Sequence, residues 1–257
     1  MQPSQNTSKS LNLLAALIFF TRLPFWKIRE VPAACFQHVV PYWPFAGWLT
    51  GGVMAGVLWI TAQAFPLPVA WLLAIASRLL LTGCLHEDGL ADFLDGLGGG
   101  HSREQALAIM KDSHIGSFGV IGLAVYLLLM WQAACFLPLP VLLVAAFCGD
   151  SWSKCCAAQL INCLPYARKQ EESKAKTVYS RMSQTEVLFT LAAGLLPLAI
   201  LIGQKLWPAA LFPPLAFAGL CWLMKKRLNG YTGDCCGATF LVCELSFYLG
   251  ILLLYHS

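Results

Sequence analysis

Residues Gly237–Leu254 read GATFLVCELSFYLGILLL, eighteen residues with a single formal charge, Glu244. A continuous apolar run of this length approaches the roughly 20 residues a helix needs to cross a hydrocarbon core. It does not alternate with period two, which sets it apart from a barrel strand. Working back along the chain, six further runs share this character: Val39–Phe65, Leu67–Leu85, Gly116–Leu137, Val141–Leu164, Val187–Ile202 and Leu206–Met224. An eighth, Leu11–Phe20, is shorter and is followed by Arg22 and Pro24, so it is expected to lie in the interface or enter the bilayer only in part. Thr21–Pro24 is a poor cleavage site for a signal peptide. The expected fold is an all-α polytopic membrane protein, one integral domain over residues 1–257. It is a bundle of about seven transmembrane helices plus the short N-terminal apolar helix. A cytosolic acidic helical segment, 85–115, carries the chemistry.

Composition agrees. The chain is 58% hydrophobic and 12% charged, against roughly 25% charged in soluble domains. A formal charge of +4 with no long basic run argues against a nucleic-acid partner and leaves the lipid bilayer as the main surrounding. The eleven cysteines are odd in number and lie mostly in apolar runs, so they read as small buried hydrophobes, not a disulfide framework. Tryptophans 26, 43, 48, 131, 207 and 222 lie mostly near run ends and read as interfacial anchors. Four connections, Trp26–His38, Leu85–Ile115, Pro165–Glu186 and Lys225–Cys235, hold twelve Lys and Arg, whereas the opposite connections hold only Lys205. By the positive-inside rule the acidic segment faces the cytoplasm. The stretch 169–176 (KQEESKAK) reads as a solvated connector.

Six of the thirteen acidic residues fall between His86 and Asp112. Asp88, Asp92 and Asp95 stand at i, i+4 and i+7, which puts three carboxylates on one helix face. Like charges so stacked repel, and a divalent ion is the natural compensation. Oxygen ligands without cysteine favour Mg²⁺, with Mn²⁺ as an alternative. Asp88 and Asp92 are expected metal ligands, with Asp112 or Asp234 adding a carboxylate. Asp95 is the expected base, with His86 as its rival. Mg²⁺ held by few carboxylates completes its shell with phosphates, which points to phosphoryl or phosphodiester transfer.

The run Gly83–Gly96, with His86-Glu87-Asp88-Gly89-Leu90-Ala91-Asp92 and Asp95-Gly96, resembles the signature of the cobalamin synthase family, the adenosylcobinamide-GDP ribazoletransferases. Met110-Lys111-Asp112-Ser113 with Gly116 and Gly119 resembles a second motif, in which His114 stands where an arginine is expected. Pro165-Tyr166-Ala167-Arg168 resembles a third. Thr232-Gly233-Asp234, Gly237-Ala238 and Glu244 resemble a fourth, in which Asn229-Gly230 stands for two glycines. The likeness begins at Phe20-Thr21-Arg22-Leu23-Pro24 and reaches the last helix. It implies a Mg²⁺-dependent enzyme of a bacterial or archaeal inner membrane. Such an enzyme joins adenosylcobinamide-GDP to α-ribazole or its 5′-phosphate, releasing GMP. A homo-oligomer, or association with other corrinoid-assembly enzymes, stays open.

Lys111, His114, Arg168, Thr232 and Gly233 are expected to touch substrate. So are Lys154 and Glu244, because charges inside spans default to functional hypotheses; an intramembrane ion pair is their competing reading, as it is for Arg78 and Asp150. Two other functions compete. A CDP-alcohol phosphotransferase-like lipid enzyme uses a similar carboxylate array, but its pattern has an arginine where this chain has Asp92. A cation transporter would hold its carboxylates in broken helices at the midplane, often with internal repeats. No repeat is visible, and this acidic run leaves the membrane.

Overall fold

The computed structural model describes residues 8–168, 179–203 and 205–256, and the stretch 169–176 lies outside the described residues. Among these, the structure is helical, with one isolated bridge between Tyr166 and Tyr231. The helices are α1 (Lys9–Phe20), α2 (Trp43–Thr61), α3 (Leu67–Thr82), α4 (Leu85–Gly99), α5 (Arg103–Ile109), α6 (Ser117–Phe136), α7 (Leu139–Ala158), α8 (Leu160–Cys163), α9 (Gln184–Leu195), α10 (Ala199–Gly203), α11 (Phe212–Leu228) and α12 (Gly233–Tyr255).

Five stretches are long and apolar enough to cross a membrane: Val40–Thr61, Leu139–Cys163, Gln184–Gly203, Trp207–Leu228 and Gly233–Tyr255. A sixth exists if α3 and α4, bent by 90° at their junction, count as one span. Counting apolar runs gave seven. The remaining run, Gly116–Leu137, is covered by α6, Ser117–Phe136, a helix of 20 residues. The bend has a local cause. Gly83 and Cys84 adopt consecutive left-handed conformations, φ 65° and 57°, which no helix can continue.

The window of strongest apolarity in Leu139–Cys163 is 83% buried, and that in Trp207–Leu228 only 17%. α7 is therefore the central post of the bundle and α11 a peripheral, lipid-facing helix. Leu80, Ile121 and Leu215 are all more than half exposed, as an apolar solvent permits. The eleven cysteines are free thiols; seven are buried as the composition suggested, whereas Cys84, Cys135 and Cys163 are exposed. One tryptophan departs from the anchor reading. Trp43 is 2% exposed and stacks on Phe20, centroids 5.0 Å apart, because the chain enters α2 against α1 and not at a lipid boundary.

Candidate active site

The site is set by the crossing of α4 and α12. A Cβ on Gly89 would come within 3.0 Å of the Asp234 carbonyl oxygen, and one on Gly237 within 3.0 Å of that of His86. The two backbones touch, which only paired glycines permit without displacement. Asp88 and Asp234 consequently come to one cavity of about 160 Å³, which His86 and Arg168 also line. The remaining wall is mostly aromatic and apolar: Phe19, Phe20, Val40, Trp43, Leu85, Tyr166 and Tyr179.

Each polar group has a local reason for its place. Thr232 caps α12, its hydroxyl accepting from the Cys235 amide at 3.4 Å and donating to Asp234 Oδ2 at 3.2 Å. Asp234 lies in the first turn of α12, where the helix dipole favours a negative charge. Arg168 is brought in by backbone pairing: the Tyr231 amide donates to Pro165 O at 2.9 Å, and the Ala167 amide to Tyr231 O at 2.8 Å. Its Nη2 then lies 3.4 Å from Asp234 Oδ2 and 3.3 Å from Leu107 O. Arg103 fastens the same corner, donating to Leu228 O at 2.8 Å and Ala167 O at 2.7 Å. His86 is 2% exposed, its ring 4.8 Å from that of Phe240 and 5.6 Å from that of Trp43. Its Nε2 has no hydrogen-bond partner among the described residues.

The other residues expected at the site lie elsewhere. Asp95 Oδ2 accepts from the Gly116 amide at 2.7 Å and Oδ1 from the Gly119 amide at 2.8 Å, so this carboxylate caps α6. Asp88 and Asp95 are two turns apart, about 10 Å of rise, enough for one helix face to serve the N-termini of two different helices. Asp92, between them, is buried and does not line the cavity. Asp112 is exposed and accepts from His114, whose ring Nδ1 lies 2.7 Å away and backbone amide 3.1 Å away. The side-chain hydrogen bond raises the His114 pKa above, and lowers the Asp112 pKa below, their ordinary values. Lys111 borders a separate hollow of about 360 Å³, which shares Arg168 with the main cavity.

Lys154 and Glu244 are sealed inside the bundle, and neither lines the cavity. Lys154 pairs with Asp150 and donates to Thr50 at 2.6 Å. Glu244 pairs with Arg78 and accepts from the Tyr126 hydroxyl at 2.9 Å. Arg78 also lies 3.5 Å from Glu87 and 3.9 Å from Asp150. The structure thus gives both residues the ion-pair role and no place in the substrate cavity.

Among the described residues no three His, Cys, Asp or Glu side chains converge as metal ligands. The four-aspartate ligand set is therefore not assembled. Asp88 and Asp234 on one cavity remain, and Mg²⁺ commonly takes one or two carboxylates, water and substrate phosphates in place of a full protein cage. The residues present fit that mode.

A sequence model of the cobalamin-5-phosphate synthase family matches residues 12–252. The chain belongs to this family. Proteins named adenosylcobinamide-GDP ribazoletransferase are similar over nearly the whole chain. Those of Shewanella sp. (strain ANA-3) and Shewanella putrefaciens (strain CN-32 / ATCC BAA-453) are 37% and 38% identical, each over 98% of both chains. That of Shewanella oneidensis is 36% identical over 98% of both. No solved structure matches. The resemblance read from Gly83–Gly96 is borne out. For a cobalamin-5-phosphate synthase family chain, the aromatic wall is what reading by charge missed. Its signal was present in Phe20-Thr21-Arg22-Leu23-Pro24 and Pro165-Tyr166-Ala167-Arg168, of which only Arg168 had been given a purpose.

Proposed function

We propose that this chain joins adenosylcobinamide-GDP to α-ribazole or its 5′-phosphate, releasing GMP, as one of the last steps of adenosylcobalamin synthesis. The observation that carries the reading is the meeting of Asp88, Asp234, Arg168 and His86 on one cavity of a chain from this family. A ribose hydroxyl of the riboside attacks the phosphorus that bears the corrinoid arm. An oxygen–phosphorus bond forms, the bridging phosphoanhydride bond breaks, and its electron pair leaves with GMP. The neutral imidazole of His86, with an unpartnered Nε2, accepts the hydroxyl proton. This replaces Asp95 as base, since both Asp95 oxygens hold the start of α6. Arg168 contacts a phosphate oxygen. Asp88 and Asp234 would hold Mg²⁺ (or Mn²⁺), which supplies charge neutralisation on the pyrophosphate. The cleft opens to the cytoplasm at a bacterial inner membrane, a reading supported by the twelve-to-one distribution of basic loop residues.

The test is direct. Purified protein with both substrates and Mg²⁺ should release GMP and form the nucleotide-looped corrinoid, and chelator should stop it reversibly. Lack of GMP release with both substrates present overturns the reaction. Full activity in metal-free buffer overturns the metal assignment. For orientation, Gly99→Cys on a cysteine-free background should resist an impermeant thiol reagent in intact cells; labelling there reverses the topology.

A further inference from the structure

The cavity lining is of two kinds. Asp88, Asp234 and Arg168 are charged, with Arg168 against Asp234, whereas Phe20 stacks on Trp43 and Phe19 meets Phe20 edge-on to form an aromatic recess. Within the recess wall one polar atom is unsatisfied. Trp43 is 2% exposed, and its Nε1–H has no hydrogen-bond partner among the described residues. A buried donor left so forgoes the hydrogen bond it would make in water, and Trp is ordinarily buried only where its N–H reaches a partner. The recess is therefore built for a flat, mostly apolar group with one acceptor.

Size separates the candidates. A dry cavity of about 150 Å³ in another protein takes a benzene ring, and this cavity is about 160 Å³ and partly open. One or two fused rings fit, and a corrin macrocycle with its amide arms does not. Chemistry separates the rest. Guanine presents several donors and acceptors around its edge, and each would need a partner that the recess does not offer. A benzimidazole presents apolar edges and, once joined to its ribose, a single free ring nitrogen, which is an acceptor.

We infer that the recess holds the bicyclic base of the riboside, with Trp43 Nε1–H donating to its free ring nitrogen; the inference rests on the reaction proposed above. His86 relates the recess to the charged lining, because its ring lies 5.6 Å from that of Trp43 while it lines the same cavity as Asp88. A base seated in the recess would turn its ribose toward His86 and the carboxylates. The corrinoid then stays outside, approaching with its pyrophosphate arm alone. Trp43 is thus a specificity-determining residue for the second substrate.

The experiment compares two ribosides, one with a benzimidazole base and one with an indole base, in which a C–H replaces the free ring nitrogen. Wild-type protein should show a KM roughly tenfold higher for the indole riboside, the worth of one hydrogen bond. Trp43→Phe keeps an aromatic ring and removes the donor. It should raise the KM for the benzimidazole riboside by the same factor, leave that for adenosylcobinamide-GDP unchanged, and abolish discrimination between the two bases. If Trp43→Phe folds poorly, the wild-type ratio still decides: equal KM values for the two ribosides overturn the inference. A rise in the KM for adenosylcobinamide-GDP alone would give the recess to guanine and overturn it as well. Failure of wild-type protein to release GMP with any riboside would instead count against the reaction itself.

Discussion

Two charged clusters lie close together along α4 and α12, and they obey different rules. The first, Arg78, Glu87, Asp150, Lys154 and Glu244, is closed off by helices on every side. The second, Asp88, Asp234 and Arg168, opens on a cavity. In the sealed cluster each charge is held by another charge or a hydroxyl, because no water is available to solvate it. In the open cluster Asp88 is exposed, and so is left available to a ligand. Glu87 and Asp88 are adjacent in sequence and yet fall on opposite sides of this divide. A helix turns about 100° per residue, so neighbouring carboxylates on α4 face the bundle and the cavity respectively. Charge inside a membrane protein marks function by default, but the default separates into holding the bundle together and handling the substrate.

Substitutions can break that distinction. The largest effect is expected from Arg78→Met. Removing one partner of a buried pair strands the other, at about 3–5 kcal/mol, so thermal unfolding in detergent should occur far earlier than in wild type. Adding Glu244→Met to Arg78→Met should recover only part of the loss: a buried pair replaced by apolar residues is often neutral, but buried Glu87, 3.5 Å from Arg78, still loses its cation. A well-folded but inactive Arg78→Met would move the sealed cluster into the reaction and erase the comparison. Asp88→Asn should do the reverse. Its melting should match wild type, while the half-saturating Mg²⁺ concentration should rise roughly 10–100-fold, the range for damage to a metal's supporting groups. An unchanged Mg²⁺ requirement would remove Asp88 from the metal.

A smaller effect tests the residue that both readings of α4 contest. Asp95→Asn sets an NH2 against one of the two amides that its carboxylate holds at the start of α6 and should lower stability by about 1–3 kcal/mol, with the Mg²⁺ requirement within a few-fold of wild type. A collapse of the single-turnover rate without loss of stability would restore Asp95 as the base. The smallest effect is electrostatic and lies outside both clusters. The hydrogen bond from Asp112 holds the His114 pKa above its usual value of about 6.5. The pair's contribution is present below the ordinary imidazole range and is lost as pH rises through the raised value. NMR titration should show His114 titrating high, and Asp112→Asn should return it toward the ordinary value.

How much of this was legible in the chain depends on distance along it. α4 and its carboxylate face followed from spacing alone, and an ion pair with no named partner was the competing reading for Asp150 and Lys154, which sit one turn apart on α7. What each carboxylate meets did not follow. Asp95 meets α6, and Asp88 shares its cavity with a residue from the start of α12, and helical periodicity carries no information about partners so remote. The bend between α3 and α4 escaped for a related reason. Apolar runs measure how greasy a segment is, whereas the bend at Gly83 and Cys84 is set by two backbone torsions. Trp43 misled because tryptophan near the end of an apolar run is equally at home at an interface or, as here, against another ring.

The contact of Gly89 with Asp234, and of Gly237 with His86, also has a consequence for how the protein is made. α4 leaves the ribosome long before Gly233 is added, and until then its carboxylates have no opposite wall. A chain halted just before α12 has most of its membrane-embedded helices and much of its charged core but no cleft. α12 must therefore be made and inserted before the first turnover can begin, and a copy without it is a silent one.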